Sequence, residues 1–259
     1  DGFRLDTGKH VPKWYWGEFT AATGIPSFGE VWHGSPSYIA DYQNYMWSVV
    51  DFPIYYTIEG VFAYGGSCDH LHNLFNEDSV YPDPYKLVTF IDSHDVARFL
   101  NRAGNDYQKL KLALAFLMTA RGIPCVYYGT EQGFNGGNDP NNREVLFNSF
   151  DTAHELYQYI RKLTDIRSVR EPLRRGTQYE MWADDQVYAY SRMTPADEVI
   201  VVLNNSETGQ TREIPLRTES SLNVGSALTN FLDVTDTVVV VAGGSTGKHI
   251  SVSLESKEP

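Results

Sequence analysis

Cysteine is scarce in this 259-residue chain, with only Cys68 and Cys125. Two thiols make no disulfide framework, and they leave the redox compartment open. Basic residues are outnumbered, 21 Lys and Arg against 33 Asp and Glu, for a formal net charge of −12. A chain of that sign lacks the basic face that nucleic acid or an anionic membrane requires, so neither is expected as a partner. No apolar run approaches the length of a membrane-spanning helix, and no charged-then-apolar leader pattern opens the sequence. What is plentiful is apolar and aromatic content, 42% and 14%. The length allows one large domain or two smaller ones with an ample core. The aromatic share suits a ring-stacking cleft and a Tyr-rich core equally well, and decides nothing alone.

Up to about residue 170, short apolar runs alternate with helical patterns. The runs predict strands over 2–6, 26–32, 52–57, 87–92 and 123–128. Helices are expected over 37–50, 107–121 and 154–169, with a short segment around Trp14–Thr20, a helical turn at 58–64 and a loop over 69–84. The 107–121 helix is the strongest, with Leu110, Leu112, Ala113, Leu114, Phe116 and Leu117 at amphipathic spacing and Gly122 to stop it. Alternation of this kind predicts a parallel, right-handed α/β arrangement. After Glu171-Pro172 the pattern changes to short strands at 179–182, 187–193, 199–204, 211–216, 237–241 and 249–254, with no helix between them. That predicts an antiparallel β-sandwich, hence two domains, 1–170 and 171–259.

Three of the early strands end in acid. Gly2-Phe3-Arg4-Leu5 delivers Asp6, the 26–32 strand carries Glu30, and Phe90-Ile91-Asp92-Ser93 leads into His94 and Asp95. Carboxylates gathered at the C-terminal ends of parallel strands are how a barrel enzyme builds its site. A Ser93-His94-Asp95 hydrolase triad is excluded, because three consecutive residues of an extended chain cannot face one point.

Gly-Phe-Arg-Leu-Asp-Thr-Gly-Lys-His (2–10), Gly-Glu-Val-Trp (29–32), Phe-Ile-Asp-Ser-His-Asp (90–95), and Gly-Ile-Pro-Cys-Val-Tyr-Tyr-Gly-Thr-Glu-Gln-Gly (122–133) with its following loop 136–144 occur in that order. Together they resemble signature blocks of the α-amylase family. The resemblance implies strands 4–8 of a (β/α)8 barrel followed by the all-β domain. The three preceding strand–helix units, and the small domain inserted among them, are expected to lie outside the chain. It implies hydrolysis of α-1,4-glucosidic bonds in starch and maltooligosaccharides with retention, Asp6 being the nucleophile, Glu30 the acid/base and Asp95 the transition-state stabiliser. Arg4 and His94 would hold the reacting centre, Lys9 and His10 the leaving-group side, and Asp139 and Arg143 the opposite side. Ser93 stands where the family usually has Asn. Calcium enters only through the His10 carbonyl, its other ligands belonging to the unmatched part.

Each residue also has a plainer reading. Arg4–Asp6 could be a loop-capping pair, Glu30 a surface carboxylate, and Arg98 either a charge partner behind Asp95 or a solvated loop residue. Trp14, Tyr15, Trp16, Trp32 and His33 could stack on sugars, though core or rim packing is the commoner role of such residues. Cys68, His70 and His72 have ligand-like spacing but no second cluster, which favours a loop. Five strands would leave two open edges, calling for a second copy of the chain or a complementing N-terminal fragment. The function alternatives are a non-catalytic glucan-binding half-barrel and a cyclodextrin hydrolase or glucosyltransferase. Relatives of this kind are often secreted or periplasmic, but the sequence leaves the compartment open.

Overall fold

Parallel strands organise the first 124 residues of the chain, in a computed structural model that describes residues 1–147 and 149–259. β1 (Phe3–Leu5), β2 (Ser27–Gly29) and β3 (Ser48–Val49) form one parallel sheet in that order. β4 (Val88–Thr89) and β5 (Ile123–Pro124) form a second, and a parallel bridge between Val50 and Val88 joins the two. In the β1–β2 register Leu5 faces Gly29, so Asp6 and Glu30 leave their strands side by side.

Between the strands, local chemistry sets the helices. α1 (Lys13–Thr23) ends at Gly24, whose left-handed φ of 62° lets its N–H return to the Thr20 carbonyl. α2 (Pro36–Ala40) is only five residues long and passes through a 3-10 turn, Asp41–Asn44, into β3. The expected helix over 37–50 is therefore corrected, and so is the strand over 52–57, which is α3 (Phe52–Ile58). Asp51 accepts the Ile54 amide hydrogen and Pro53 sits in the first turn. This start signal outweighs the β-rich composition of Phe-Pro-Ile-Tyr-Tyr-Thr-Ile. The expected loop over 69–84 contains α4 (Asp69–Asn76), which buries Leu71 and Leu74. α5 (Phe99–Arg102) leads to α6 (Tyr107–Thr119), where the spacing predicted a helix and where Asp106 caps the start. α7 (Glu155–Val169) and α8 (Glu171–Arg175) complete this part.

The C-terminal strands pair antiparallel: β6 (Thr177–Ala183), β7 (Val187–Met193) and β8 (Glu198–Asn204) in one sheet. β9 (Gln210–Pro215) pairs with the chain's last strand, β13 (Lys248–Leu254), which also pairs β12 (Val241–Ala242). β10 (Ala227–Thr229), not anticipated from the sequence, pairs β11 (Thr237–Val239). Met181, Ala189, Ile214, Leu216, Val240 and Ile250 form the apolar layer that these strands share.

α6 is the pivot of the molecule. Its residues Leu112–Leu117 are buried on every side, against α3, α4 and α7 and against Tyr188, Tyr190, Val199 and Val201 of the C-terminal strands. The carbonyls at its C-terminal end are answered by arginines. Arg167 donates to Met118 O at 2.8 Å, and Arg192 of β7 donates to Thr119 O at 2.7 Å. Buried Arg121 binds Asp51 at 2.5 Å and Asp78 at 2.6 Å, tying β5's approach to the cap of α3.

Candidate functional site

Two backbone hydrogen bonds bring the ends of β1 and β2 together: Glu30 N–H donates to Leu5 O at 2.8 Å, and Gly8 N–H to Glu30 O at 2.7 Å. Arg4 then donates to both acids, Nη1 to Asp6 Oδ1 at 2.8 Å and Nη2 to Glu30 Oε1 at 2.9 Å. Thr7 supplies a third donor, its N–H reaching Glu30 Oε2 at 3.1 Å. To do so Thr7 adopts φ 49°, a left-handed conformation that costs a β-branched residue energy and is characteristic of functional sites.

The two carboxyls differ in environment. Asp6's side chain is 65% exposed and Glu30's 11%. The Arg4 hydrogen bond holds Asp6 below the usual carboxylate range. Burial pushes Glu30 above it, against the opposing Thr7 amide and Arg4 charge and with help from the neighbouring Asp6. One carboxyl with its pKa lowered and one with its pKa raised, joined through one guanidinium, are the kind of pair a nucleophile and a general acid require.

A second cluster follows β4. His94 Nε2 lies 3.0 Å from Asp95 Oδ2, and Arg143 Nη2 lies 3.7 Å from Asp95 Oδ1. Arg143 Nε also contacts Asp139 Oδ1 at 3.0 Å and donates to His94 O at 3.1 Å. His94 is close enough to Asp6 to add, after Arg4 and Glu30, to the lowering of its pKa, which links this cluster to the first. On the other side Lys9 Nζ donates to Trp32 O at 2.8 Å. The Trp32 indole lies flat on Phe52, ring centres 5.2 Å apart, and donates to Tyr56 Oη at 2.8 Å. Trp16 is core, its Nε1 donating to Gly8 O, whereas Trp14 and Tyr15 are exposed and His33 stacks on Tyr38 at 4.1 Å.

His10 closes the 3-10 turn Gly8–His10 and stands exposed. Among the described residues no three His, Cys, Asp or Glu groups converge to hold a metal. Cys68 is buried and His72 pairs with Glu180 at 2.7 Å, so the 68–72 spacing serves packing.

Neither reading of Arg98 survives. It is fully buried, donates to Glu144 at 3.0 Å and Tyr128 O at 2.6 Å, and lies 4.1 Å over the Tyr127 ring. Sequence reasoning passed over Asp92, which is 3% exposed and bonded to Phe99 N–H and Thr130 Oγ1. Its only signal is an acid inside an otherwise apolar run.

Residues 1–195 match the family model "Alpha amylase, catalytic domain". The beta/alpha-amylase of Paenibacillus polymyxa is 44% identical over 265 residues, covering 100% of this chain and 21% of the relative. A cyclomaltodextrin glucanotransferase from a Bacillus strain (1-1) is 34% identical, covering 82% of this chain and 31% of that protein. The crystal structure of an Anoxybacillus α-amylase superposes with a TM-score of 0.87 at 34% identity, over 99% of this chain and 57% of its own. The chain belongs to the α-amylase family of glycoside hydrolases, whose members have the (β/α)8 barrel fold. It spans about half the length, or less, of the curated relatives it matches.

Proposed function

We propose that this chain carries the reacting centre of a retaining hydrolase of α-1,4-glucans. The observation that supports this most is the shared Arg4 bridge between an exposed Asp6, its pKa lowered, and a buried Glu30, its pKa raised. Asp6 attacks the anomeric carbon while Glu30 protonates the departing glycosidic oxygen. Glu30, now ionised, takes a proton from water, which displaces Asp6 and leaves the product with its original configuration. Asp95, steadied by His94 and Arg143, stabilises the positive charge that develops on the sugar ring. Arg4 and His94 act at the same centre, Lys9 and His10 on the leaving-group side, and Asp139 and Arg143 opposite. We assign 1–170 to barrel strands 4–8 with their helices and 171–259 to a β-sandwich.

The substrate is an α-glucan, with no nucleic acid or membrane partner. A second copy or a complementing N-terminal segment would cover the outer edges of β1 and β5. The residues here do not make a calcium site by themselves: the His10 carbonyl would be a single ligand, and no step runs through a metal. Two other readings have their own support. One is a non-catalytic glucan-binding half-barrel, in which the solvent-exposed Trp14 and Tyr15 would offer rings for sugars to stack on. The match to a glucanotransferase favours cyclodextrin hydrolysis or glucosyl transfer at the same centre.

The test is reducing-sugar release from soluble starch by the chain and by Glu30→Gln, with the anomeric form of the first product read by proton NMR. We expect release with retention, and a loss of about 10²–10⁴-fold in the variant. Equal activity in both would remove Glu30 from its role, and glucan binding without release would leave the non-catalytic reading.

A further inference from the structure

The segment from Asp92 to Phe99 leaves β4, carries His94, Asp95 and Arg98, and returns to begin α5. One carboxylate ties its two ends. Asp92 Oδ2 accepts the Phe99 N–H at 3.3 Å, and the Thr130 hydroxyl, beyond β5, reaches both Asp92 oxygens at 3.3 Å. Asn142 Nδ2 holds the middle of the segment through Ser93 O at 3.3 Å and Val96 O at 2.8 Å. The charged and titratable groups facing Asp92 are Arg98 from the same segment, Glu144 from the chain after β5, and the Cys125 thiol just beyond β5. Amide, hydroxyl and guanidinium all favour an ionised acceptor.

We infer that Asp92 is a positioning residue: its carboxylate clasps segment 93–98 so that His94 and Asp95 are held toward Asp6, and the clasp loosens when Asp92 takes up a proton. This rests on the hydrolase reading above and deepens it. Burial drives the carboxyl up to about 6, while Arg98, the Phe99 amide and Thr130 pull the other way. Turnover therefore falls as the pH is lowered through about 6. Over the same descent the fold gains stability, because a carboxyl with a raised pKa binds more protons folded than unfolded. A merely structural role would make activity and stability move together.

The experiment is the pH–rate profile of maltoheptaose hydrolysis for the chain, Asp92→Asn and Asp92→Ala. The Asn variant keeps an oxygen acceptor but does not titrate, so its acid limb near 6 should vanish. The Ala variant leaves both donors without an acceptor; kcat should drop about 10²-fold with KM within about threefold, the pattern of an interaction realised in the transition state. An acid limb unchanged in Asp92→Asn overturns the inference, as does wild-type kcat in Asp92→Ala. Should the Ala variant fail to fold, the Asn profile decides alone. Absence of hydrolysis by the unmodified chain would sink the hydrolase reading separately. The clasp would then be read from hydrogen exchange at the Phe99 amide, after correction for intrinsic rates. Protection lost below about pH 6 in the chain but not in Asp92→Asn supports it, and protection independent of pH refutes it.

Discussion

Arg4 divides its guanidinium between two acids of very different exposure, and this division sets what each acid can do. Asp6 gains a charge-assisted hydrogen bond at little desolvation cost, so its ionised form is favoured. Glu30 accepts the same guanidinium and an amide besides, yet burial outweighs both. Replacing Arg4 with Met removes the hydrogen bond that does most to lower Asp6. A nucleophile must be ionised, so activity is lost as the pH falls through Asp6's pKa. In the Asp92→Asn background, where the limb near 6 is absent, lifting that pKa by Arg4→Met moves the remaining acid limb of starch hydrolysis to higher pH, with turnover down about 10²-fold. A limb that stays in place would show that Asp6's acidity comes from elsewhere. The basic limb belongs to Glu30, whose proton is lost as the pH rises through its elevated value.

At the level of elements, the C-terminal end of α6 is where the two halves of the chain are fastened. Gly122 turns the chain from α6 into β5 with φ 99°, and an added Cβ would stand 2.8 Å from the Leu87 carbonyl, so only glycine serves there. Next to it, Arg121 neutralises Asp51 and Asp78 in the interior. Arg121→Met strands two carboxylates without their cation and frees the Asp51 cap of α3 from its anchor. The expected loss is about 3–5 kcal/mol, measured as the denaturant midpoint at constant m-value. A change below about 1 kcal/mol would mean that water or a rearranged partner replaces the arginine.

For the whole molecule, the parallel strands present edges. Among the described residues β1 pairs only with β2 and β5 only with β4, and Val145, Phe147 and Phe150 are more than 70% exposed in the chain after β5. Open strand edges and exposed apolar side chains are both surfaces that a second chain can cover. Light scattering at micromolar concentration should therefore return a mass above the 29.3 kDa of one chain. A mass equal to one chain would count against pairing through these edges.

The sequence by itself determined the alternation of strands and helices, the strong α6 and its Gly122 stop, and the change to antiparallel strands after Glu171-Pro172. Each of these depends on local spacing or on a single residue's backbone freedom. It also pointed to Asp6, Glu30 and Asp95, acids closing short apolar runs, with His94 beside the last, as candidates for the site. Where local signals competed, the sequence misled: the aromatic run 52–57 reads as strand, and only its Asp51 cap and Pro53 make it α3. Tertiary structure alone decided that Arg4 serves two acids, that Arg98 turns inward to Glu144, and that Asp92 reaches Phe99 and Thr130. Apart from Arg4–Asp6, two positions apart, those contacts join residues 7 to 46 positions apart. Spacing within one strand or helix cannot encode them, because they exist only once the parallel register has brought the ends together.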